Sequence, residues 1–134
     1  MVTSEQGDAM FDNTKAFSSF AVDDVAAARA FYADTLGIEV SEDMGMGLLF
    51  LHLSGNREVV VYPKPDHAPA NFTVLNFGVD DIDAAVDHLA AQGVTFERYD
   101  GMPQDERGIM REDGPFIAWF TDPAGNILSV LQEH

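Results

Sequence analysis

The strongest constraint on the fold is an internal repeat that relates the first half of the chain to the second half. Six residues recur in the same order 57 positions later. They are Phe20, Val22, Asp23, Asp24, Ala27 and Ala28, which return as Phe77, Val79, Asp80, Asp81, Ala84 and Ala85. Each half then ends in a Gly-Asn pair and an apolar strand pattern. A chain with this pattern is expected to fold as two similar units with a cleft between or beneath them.

Each unit is predicted to run strand, helix, strand, strand, strand. In the first unit either Asp23 or Asp24 caps the helix, because a carboxylate can accept hydrogen bonds from the first helical N–H groups. In the second unit Asp81 caps a helix that ends near Gly93, and residues 94–99 are predicted as a strand. The expected fold class is therefore α+β, with two duplicated βαβββ modules whose curved mixed sheets form a cleft.

The module boundaries follow from composition along the chain. Residues 16–63 are expected to form the first module and residues 72–132 the second, within a single domain of 134 residues. Residues 64–71 are rich in proline, which cannot donate to a strand ladder, and are predicted as the linker. Residues 1–15 are polar and acidic and are predicted as a flexible N-terminal tail.

Charge and composition exclude several classes of partner. The net charge is −16, and Lys15 and Lys64 are the only lysines, so a nucleic-acid partner is not expected. No apolar run approaches the length needed to cross a membrane, and the N-terminus lacks a signal-peptide pattern. The chain has no cysteine, which fits a cytoplasmic location. The acidic charge would attract a cationic ligand, although solubility alone would also explain it.

Two motifs carry a resemblance to a known family. The paired aspartates before the first helix with Phe31-Tyr32 inside it, and the turn Asp122-Pro-Ala-Gly-Asn126, resemble the vicinal oxygen chelate superfamily. That superfamily includes glyoxalase I, extradiol dioxygenases and bleomycin-resistance proteins. The resemblance covers residues 16–132 and implies paired βαβββ modules around a cleft. It also implies a homodimer.

The resemblance further implies where a metal would bind. Metal-using members place histidines and a glutamate at positions that this chain fills with Phe17, Val74 and Ser129, and a further ligand on the strand that here reads valine at 59–61. Phenylalanine and valine have no lone pair, and one serine hydroxyl is a poor ligand for a divalent ion. The four histidines are too dispersed to replace these ligands. We therefore expect no metal and no other cofactor.

The alternation of side chains along strands predicts which residues face the cleft. On residues 116–121 either the face with Trp119 or the face with Phe120 points inward, and we favour Trp119. The predicted ligand-binding residues, which together form an apolar concavity with a few neutral polar groups, are Phe17, Ser19, His52, Tyr62, Asn76, Trp119 and Ser129. The alternative interpretation is that these are ordinary sheet residues. No catalytic residue is assigned.

Residues 100–114 are predicted as a long polar loop. Its charged residues are expected to be solvated, although a loop of this length could also act as a lid over the cleft. If the ligand were an anion, Arg111 would be the residue to contact it.

The predicted function is that of a small-molecule binding protein of the bleomycin-resistance type. It would work without a metal and would sequester an apolar or cationic ligand in the cleft between the modules, as a homodimer. The alternative is an enzyme of the same fold, a lyase, isomerase or dioxygenase, with atypical or metal-free chemistry. A regulatory or interaction module is a third hypothesis.

Overall fold

In the computed structural model, which describes residues 10–43, 45–112 and 114–133, the chain forms two β-sheets and two helices. The elements are β1 Ser18–Val22, α1 Val25–Ala30, β2 Glu39–Asp43, β3 Leu48–Leu53, β4 Arg57–Pro63, β5 Thr73–Gly78, α2 Ile82–Ala91, β6 Phe116–Thr121 and β7 Ile127–Gln132. Of the predicted tail, residues 1–9 lie outside the described residues, and residues 10–15 are exposed.

The two sheets share one topology. The first has the strand order β1-β4-β3-β2 and the second has the order β5-β7-β6. In each, the first strand of the module lies parallel to its last strand, with Ser18 opposite Val59 and Thr73 opposite Ile127, and the other pairs are antiparallel. The predicted α+β class with two duplicated modules is confirmed.

Both helices begin at an aspartate cap. The Asp24 carboxylate accepts a hydrogen bond from Ala27 N at 3.1 Å, and the Asp81 carboxylate accepts one from Ala84 N at 3.1 Å. The first cap is therefore Asp24 and not Asp23. Each carboxylate satisfies an N–H group that has no partner inside the helix.

Beyond Ala30 the first helix widens into a π-helical turn. Residues Phe31–Thr35 form this turn, and Leu36 N donates to Phe31 O at 2.9 Å. Gly37 follows with φ of 73°, a left-handed conformation that ends the helix and that glycine adopts without a steric penalty. The turn brings Phe31 within 6.4 Å of Phe120, ring centre to ring centre, so this helix contacts the second module as well as its own.

The helices cover one face of each sheet, and the buried side chains of both modules form a single core. From the first sheet the core contains Val22 and Leu51, and from the second it contains Phe120 and Leu128, each 0% exposed. Burial of such side chains stabilises the fold by about 1.5–3 kcal/mol each. The opposite faces of the sheets are left to build a site. Within the described residues, neither helix combines the length and apolar character that crossing a membrane requires.

The strand predicted at residues 94–99 is wrong. This segment lies beside β6 and makes one ladder-type hydrogen bond, from Glu97 N to Trp119 O at 2.8 Å. The side-chain amide of Gln104 binds other backbone groups of the segment, since it accepts from Tyr99 N and donates to Glu97 O, both at 2.9 Å. A side chain therefore occupies backbone groups that a strand partner would otherwise bind.

The chain returns to the same sheet edge after the loop. Met110 N donates to Ile117 O at 2.8 Å, and Ile117 N donates to Met110 O at 3.0 Å. Two short stretches, one around residue 97 and one around residue 110, thus take the place of a continuous fourth strand in the second module.

The prediction that the charged residues of the loop are solvated is wrong for Asp105, Arg107 and Arg111. Glu106 and Glu112 are exposed, and Asp113 lies outside the described residues. The Arg107 guanidinium binds the carboxylates of Asp83 at 2.6 Å and Asp87 at 2.5 Å, both on α2. Arg111 binds Asp83 at 2.6 Å and Asp105 at 3.2 Å. We call these five residues the loop clamp, because they fix the loop to the second helix. The loop is held against its own module.

Candidate ligand-binding groove

A groove lies where the two modules meet. Both β1 and β5 lie at one end of their sheets, and the linker runs between them. The space that they enclose has a volume of about 520 Å³ and is lined by Ser19 of β1, Tyr62 of β4, Lys64 of the linker, and Phe72 and Val74 at the start of the second module. A volume of this size is typical of small-molecule sites.

Large aromatic side chains are exposed at this groove. Tyr62 is 37% exposed and Phe72 is 64% exposed, and both line the groove. Phe17, which is 70% exposed, directly precedes β1. Few large apolar side chains of the described residues are this exposed, so this concentration of exposed rings marks a surface suited to an apolar partner or ligand.

Three of the predicted site residues form a row across the second sheet. The register places Asn76 opposite Ser129 and Ser129 opposite Trp119. The Ser129 hydroxyl donates to Asn76 Oδ1 at 2.5 Å. Trp119 lies on the face opposite the helices, as favoured from the sequence, but it is only 8% exposed and its ring meets that of Tyr99 at 5.4 Å. The row therefore lies beside the groove and does not line it.

His52 lies apart from both the groove and the row. Its Nε2 is 2.7 Å from the Ser41 hydroxyl, and its Nδ1 is 3.4 Å from a Glu58 carboxylate oxygen. These three residues belong to β2, β3 and β4 of the first sheet. The predicted set thus divides into Ser19 and Tyr62 in the groove with Phe17 next to it, the row in the second sheet, and His52 farther along the first sheet.

The Asp-Pro-Ala-Gly-Asn turn joins the modules through a buried network that the sequence did not reveal. Asp122 is 4% exposed, and its carboxylate accepts hydrogen bonds from the Tyr32 hydroxyl at 2.7 Å and from Asn126 Nδ2 at 3.0 Å. Asn126 Nδ2 also donates to Ala21 O of β1 at 2.8 Å. In the sequence the only sign of this network is the Asp-Pro-Ala-Gly-Asn motif itself, which does not indicate a contact with Tyr32 or Ala21.

The electrostatics of this network keep Tyr32 neutral. Burial raises the pKa of the Tyr32 phenol far above its ordinary value of 10.0, and the adjacent Asp122 carboxylate raises it further. The phenol therefore stays a hydrogen-bond donor at all ordinary pH values. Because Asn126 Nδ2 donates to Ala21 O and both residues line the groove, we assign this network to positioning β1, and with it one wall of the groove.

Arg111 is not placed to receive an anionic ligand from the groove, contrary to the expectation for an anion site. Its guanidinium binds Asp83 and Asp105, and its central carbon lies 5.4 Å from the centre of the Phe116 ring. The bound carboxylates raise the pKa of Arg111, and the hydrogen bond that Arg111 donates to Asp83 is the largest cause. The guanidinium is thus engaged in the loop clamp.

The residues at the family's metal positions do not fit a metal. Val74 lines the groove, and Ser129 is fully buried with its hydroxyl donated to Asn76. On β4 the residue opposite Ser19 is Val60. In the part of the chain that the structure describes, no group of three or more histidine, aspartate or glutamate residues is arranged to hold a metal ion.

A family model described as Glyoxalase/Bleomycin resistance protein/Dioxygenase superfamily matches residues 16–130. The chain belongs to this superfamily. A relative in Escherichia coli (strain K12), named uncharacterized protein YaeR, is 30% identical over 122 residues, which is 82% of this chain and 88% of that protein.

Solved structures of the superfamily share the fold across nearly the whole chain. The antibiotic-binding protein TnmS3 from a Streptomyces species is 24% identical with a TM-score of 0.65, covering 91% of this chain and 98% of that one. Lactoylglutathione lyase from Agrobacterium tumefaciens is 23% identical with a TM-score of 0.63, covering 90% and 93%. One neighbour is a binding protein and the other an enzyme, so the fold alone does not decide the function.

Proposed function

We propose that this chain binds a small, mainly apolar organic molecule in the groove between its modules, without a metal. The observation that carries the proposal is the groove of about 520 Å³ with the exposed rings of Tyr62 and Phe72 on its walls. Rings of this kind supply affinity through apolar contact, and the few polar groups nearby fix orientation. The antibiotic-binding neighbour supports a binding role for this fold.

The proposal includes no metal because of the side chains that stand where metal-using members of the superfamily have their metal ligands. Phe17 and Val74 cannot ligate, and the Ser129 hydroxyl is committed to Asn76. Binding is therefore expected to be unchanged by EDTA. A divalent ion held at about one per chain after dialysis, measured by elemental analysis, would contradict this part of the proposal.

The test uses 2-naphthol as an aromatic probe, followed by amide chemical shifts in nuclear magnetic resonance. We expect shifts at residues 18–21 and 66–74, because these segments border the groove. Phe72→Ser should weaken binding about tenfold, since burial of a ring contributes on the order of 1–2 kcal/mol. Phe11→Ser is the matched control, because Phe11 is 84% exposed and does not line the groove. Shifts confined to β6 and β7, or equal losses in both variants, would place the site elsewhere.

The charge of the protein is proposed to assist capture of a cationic ligand. With a net charge of −16, the surface field should speed association of a cation and should do so less as salt rises. The probe pair is 1-methylquinolinium and the neutral 2-methylnaphthalene, which have similar shape. Equal association rates for both at low salt would remove the cationic ligand from the proposal and leave the apolar one.

We further propose that the molecule works as a homodimer whose second copy covers exposed rings beside the groove. Phe17 and Phe72 are 70% and 64% exposed, which is costly for side chains of this size unless something covers them. Sedimentation at micromolar concentration is expected to give twice the chain mass, and Phe17→Asp should give the single-chain mass. A wild-type protein that sediments as a monomer would contradict the dimer.

A metal-free enzyme is the second candidate function, and one observation favours it. Ser41, His52 and Glu58 are in the order nucleophile, base and orienting acid, with the Ser41 oxygen 2.7 Å from His52 Nε2. In such a site Ser41 would attack an ester carbonyl, His52 would take its proton and pass it to the leaving alkoxide, and water would release the acyl group. The long Nδ1–Glu58 distance of 3.4 Å makes this arrangement weaker than the groove as a functional site.

The enzyme candidate is tested with p-nitrophenyl acetate. An activity above the buffer rate that is lost in both Ser41→Ala and His52→Gln, but kept in Phe72→Ser, would favour it over the binding proposal. Hydrolysis at the buffer rate by the wild-type protein would reject it.

A further inference from the structure

A second cleft lies between the modules, separate from the groove. Its volume is about 280 Å³, and no described residue lines both spaces. The first module contributes Phe31 and Thr35 of the π-helical turn, and the second contributes residues 92–95, Glu97 and residues 121–123. Ligand sites often lie where two parts of a fold meet, and a space of this size suits a small molecule.

The lining of this second cleft is negatively charged. It includes the carboxylates of Glu97 and Asp122, and none of the described residues that line it is a lysine, an arginine or a histidine. Glu97 is half-buried, and its carboxylate forms no ion pair within the described residues. The guanidinium of the adjacent Arg98 donates to Asp105 O at 2.6 Å, so it is directed toward the loop.

Asp122 adds a buried charge to the lining. Its carboxylate accepts from the Tyr32 hydroxyl, from Asn126 Nδ2, and from the backbone N–H groups of Ala124 at 3.0 Å and Asn126 at 2.8 Å. All four donors are neutral, so the hydrogen bonds leave the charge without a cationic partner among the described residues. Because Asp122 is only 4% exposed, it acts on a ligand through its field, which solvent screens little, and not by contact.

The C-terminal end of α2 strengthens the same negative potential. Gln92 and Gly93, which directly follow the ten helical residues, both line the cleft. The aligned peptide dipoles of a helix leave a partial negative charge at this end, which favours a cation. The half-buried Phe31 ring from the other module also lines the cleft, and the face of an aromatic ring attracts cations as well.

We propose that this cleft is a binding site for a small organic ammonium ion, whose N–H groups contact the Glu97 carboxylate and whose carbon skeleton contacts the Phe31 ring. The hydroxyl groups of Thr35 and Thr95 supply further acceptors in the lining. A divalent metal fits less well, because it takes several carboxylate or imidazole ligands and the described residues hold no such group. The site is independent of the binding function proposed for the groove.

The test compares benzylammonium with benzyl alcohol, which has nearly the same shape but no charge. Binding is followed through the amide shifts of residues 92–97 in nuclear magnetic resonance. At low salt the wild type should bind benzylammonium with a dissociation constant of about 1–10 mM, as expected for so small a ligand, and about tenfold more tightly than the alcohol. Glu97→Gln should reduce this preference to about twofold, because a partly exposed ion pair contributes up to about fivefold.

Glu106→Gln is the matched control, because it removes the same charge from an exposed glutamate that does not line the cleft. It should keep the wild-type preference, and circular dichroism should show that both variants are folded. Equal losses in the two variants would attribute the preference to the overall charge of the protein. Shifts confined to residues 18–21 and 72–74 would assign the cation to the groove. Either result overturns the inference, as would an absence of shifts at about 50 mM benzylammonium.

Discussion

The two modules begin alike and end differently. Their helix caps are nearly superimposable, since Asp24 has φ and ψ of −134° and 101° and Asp81 has −139° and 99°, with cap distances of 3.1 Å in both. After the helices the first module completes a four-stranded sheet. The second has three strands, two short edge stretches and a clamped loop. The repeat therefore reproduces only the local structure that its shared residues encode.

The sheet faces that the helices leave uncovered also differ in exposure between the two modules. On the first sheet Ser19 is exposed and Tyr62 is 37% exposed. On the second sheet Ser129 is 0% and Trp119 is 8% exposed. The added segments of the second module thus accompany the burial of Ser129 and Trp119, whereas Asn76 of the same row stays exposed. The groove lies between the modules and is lined by residues of both. A duplicated fold becomes asymmetric through the part of the sequence that is not duplicated.

The largest effect is expected from Asp122→Ala, which tests whether the turn network joins the unlike modules. The change leaves the Tyr32 hydroxyl and the side-chain amide of Asn126 without their buried acceptor. The free energy of unfolding should fall by about 3 kcal/mol or more, because each unpaired buried group costs about 1–3 kcal/mol. Denaturation in urea measures it. Ser54→Ala, at the exposed Gly-Asn turn of the first module, should stay within about 0.5 kcal/mol. Similar losses in both variants would show that the two turns are equivalent.

Much of the fold could be predicted because it depends on short-range patterns. The caps, the glycine helix ends and the Asp122–Gly125 turn follow from residue type at a given position. Strand alternation also placed Trp119 on the sheet face opposite the helices, although Trp119 does not line the groove. The edge stretch near residue 97 could not be predicted, because the side chain of Gln104 binds its backbone and nothing in the pattern of 94–99 indicates that contact.

The candidate site was harder to predict for the same physical reason. Ser19 and Tyr62 lie at the groove because β1 is the edge strand of its sheet with β4 beside it, and residues from both faces of β1 line the groove. Phe72 and His67, which also line the groove, were missed, since they lie in or beside the linker, where neither strand nor helix periodicity applies. Their positions depend on long-range packing, such as Pro69 against Gly125, that a single sequence does not display.

The next effect in size is expected from Tyr32→Phe, which removes one bond of the same network. The free energy of unfolding should fall by about 1–3 kcal/mol at neutral pH. Tyr99→Phe is the control, because the structure describes no hydrogen bond to the Tyr99 hydroxyl. A loss in Tyr32→Phe no larger than that in the control would remove this contact from the joint between modules.

The same phenol predicts an alkaline loss of stability. The pKa of Tyr32 is raised in the folded protein by burial and by Asp122, above its unfolded value of 10.0. The folded state therefore holds the proton more tightly, so the contribution is complete below pH 10 and is lost as pH rises above it. The wild type should lose stability more steeply than Tyr32→Phe between pH 9 and pH 11, as measured by urea denaturation. Parallel curves would contradict the raised pKa.

Smaller and equal effects are expected at the two caps, where the modules are alike. Asp24→Ala and Asp81→Ala should each cost about 1 kcal/mol, and the two values should agree within about 0.5 kcal/mol. Asp23→Ala and Asp80→Ala are matched controls one residue earlier, and thermal unfolding should show little change in either. A cap effect confined to one module would mean that the repeat is not equivalent even where its sequence is shared.

The smallest global effect, but a clear local one, is expected in the loop clamp. Hydrogen bonding from Arg111 lowers the pKa of Asp83 below its ordinary value of 3.8. For Asp105 burial works in the opposite direction, but hydrogen bonds from Ile109 N and Arg107 N outweigh it and lower the pKa. Both carboxylates are therefore charged in the fold above pH 3.8, and their contribution is lost as pH falls below that value.

The Ile109 amide reports on the clamp directly, since it donates to Asp105 Oδ1 at 2.9 Å. Its protection against hydrogen exchange should be constant between pH 5 and pH 7 and should fall below pH 3.8. Asp83→Asn should lower that protection already at pH 7, because Arg107 and Arg111 lose a shared charged partner. Asp66→Asn, which removes the exposed pair with Lys64, should leave it unchanged. If the Ile109 amide of Asp83→Asn stays as protected as that of the wild type, the loop is held by Gln104 and its backbone contacts, and the charge clamp is not what makes the second module differ from the first.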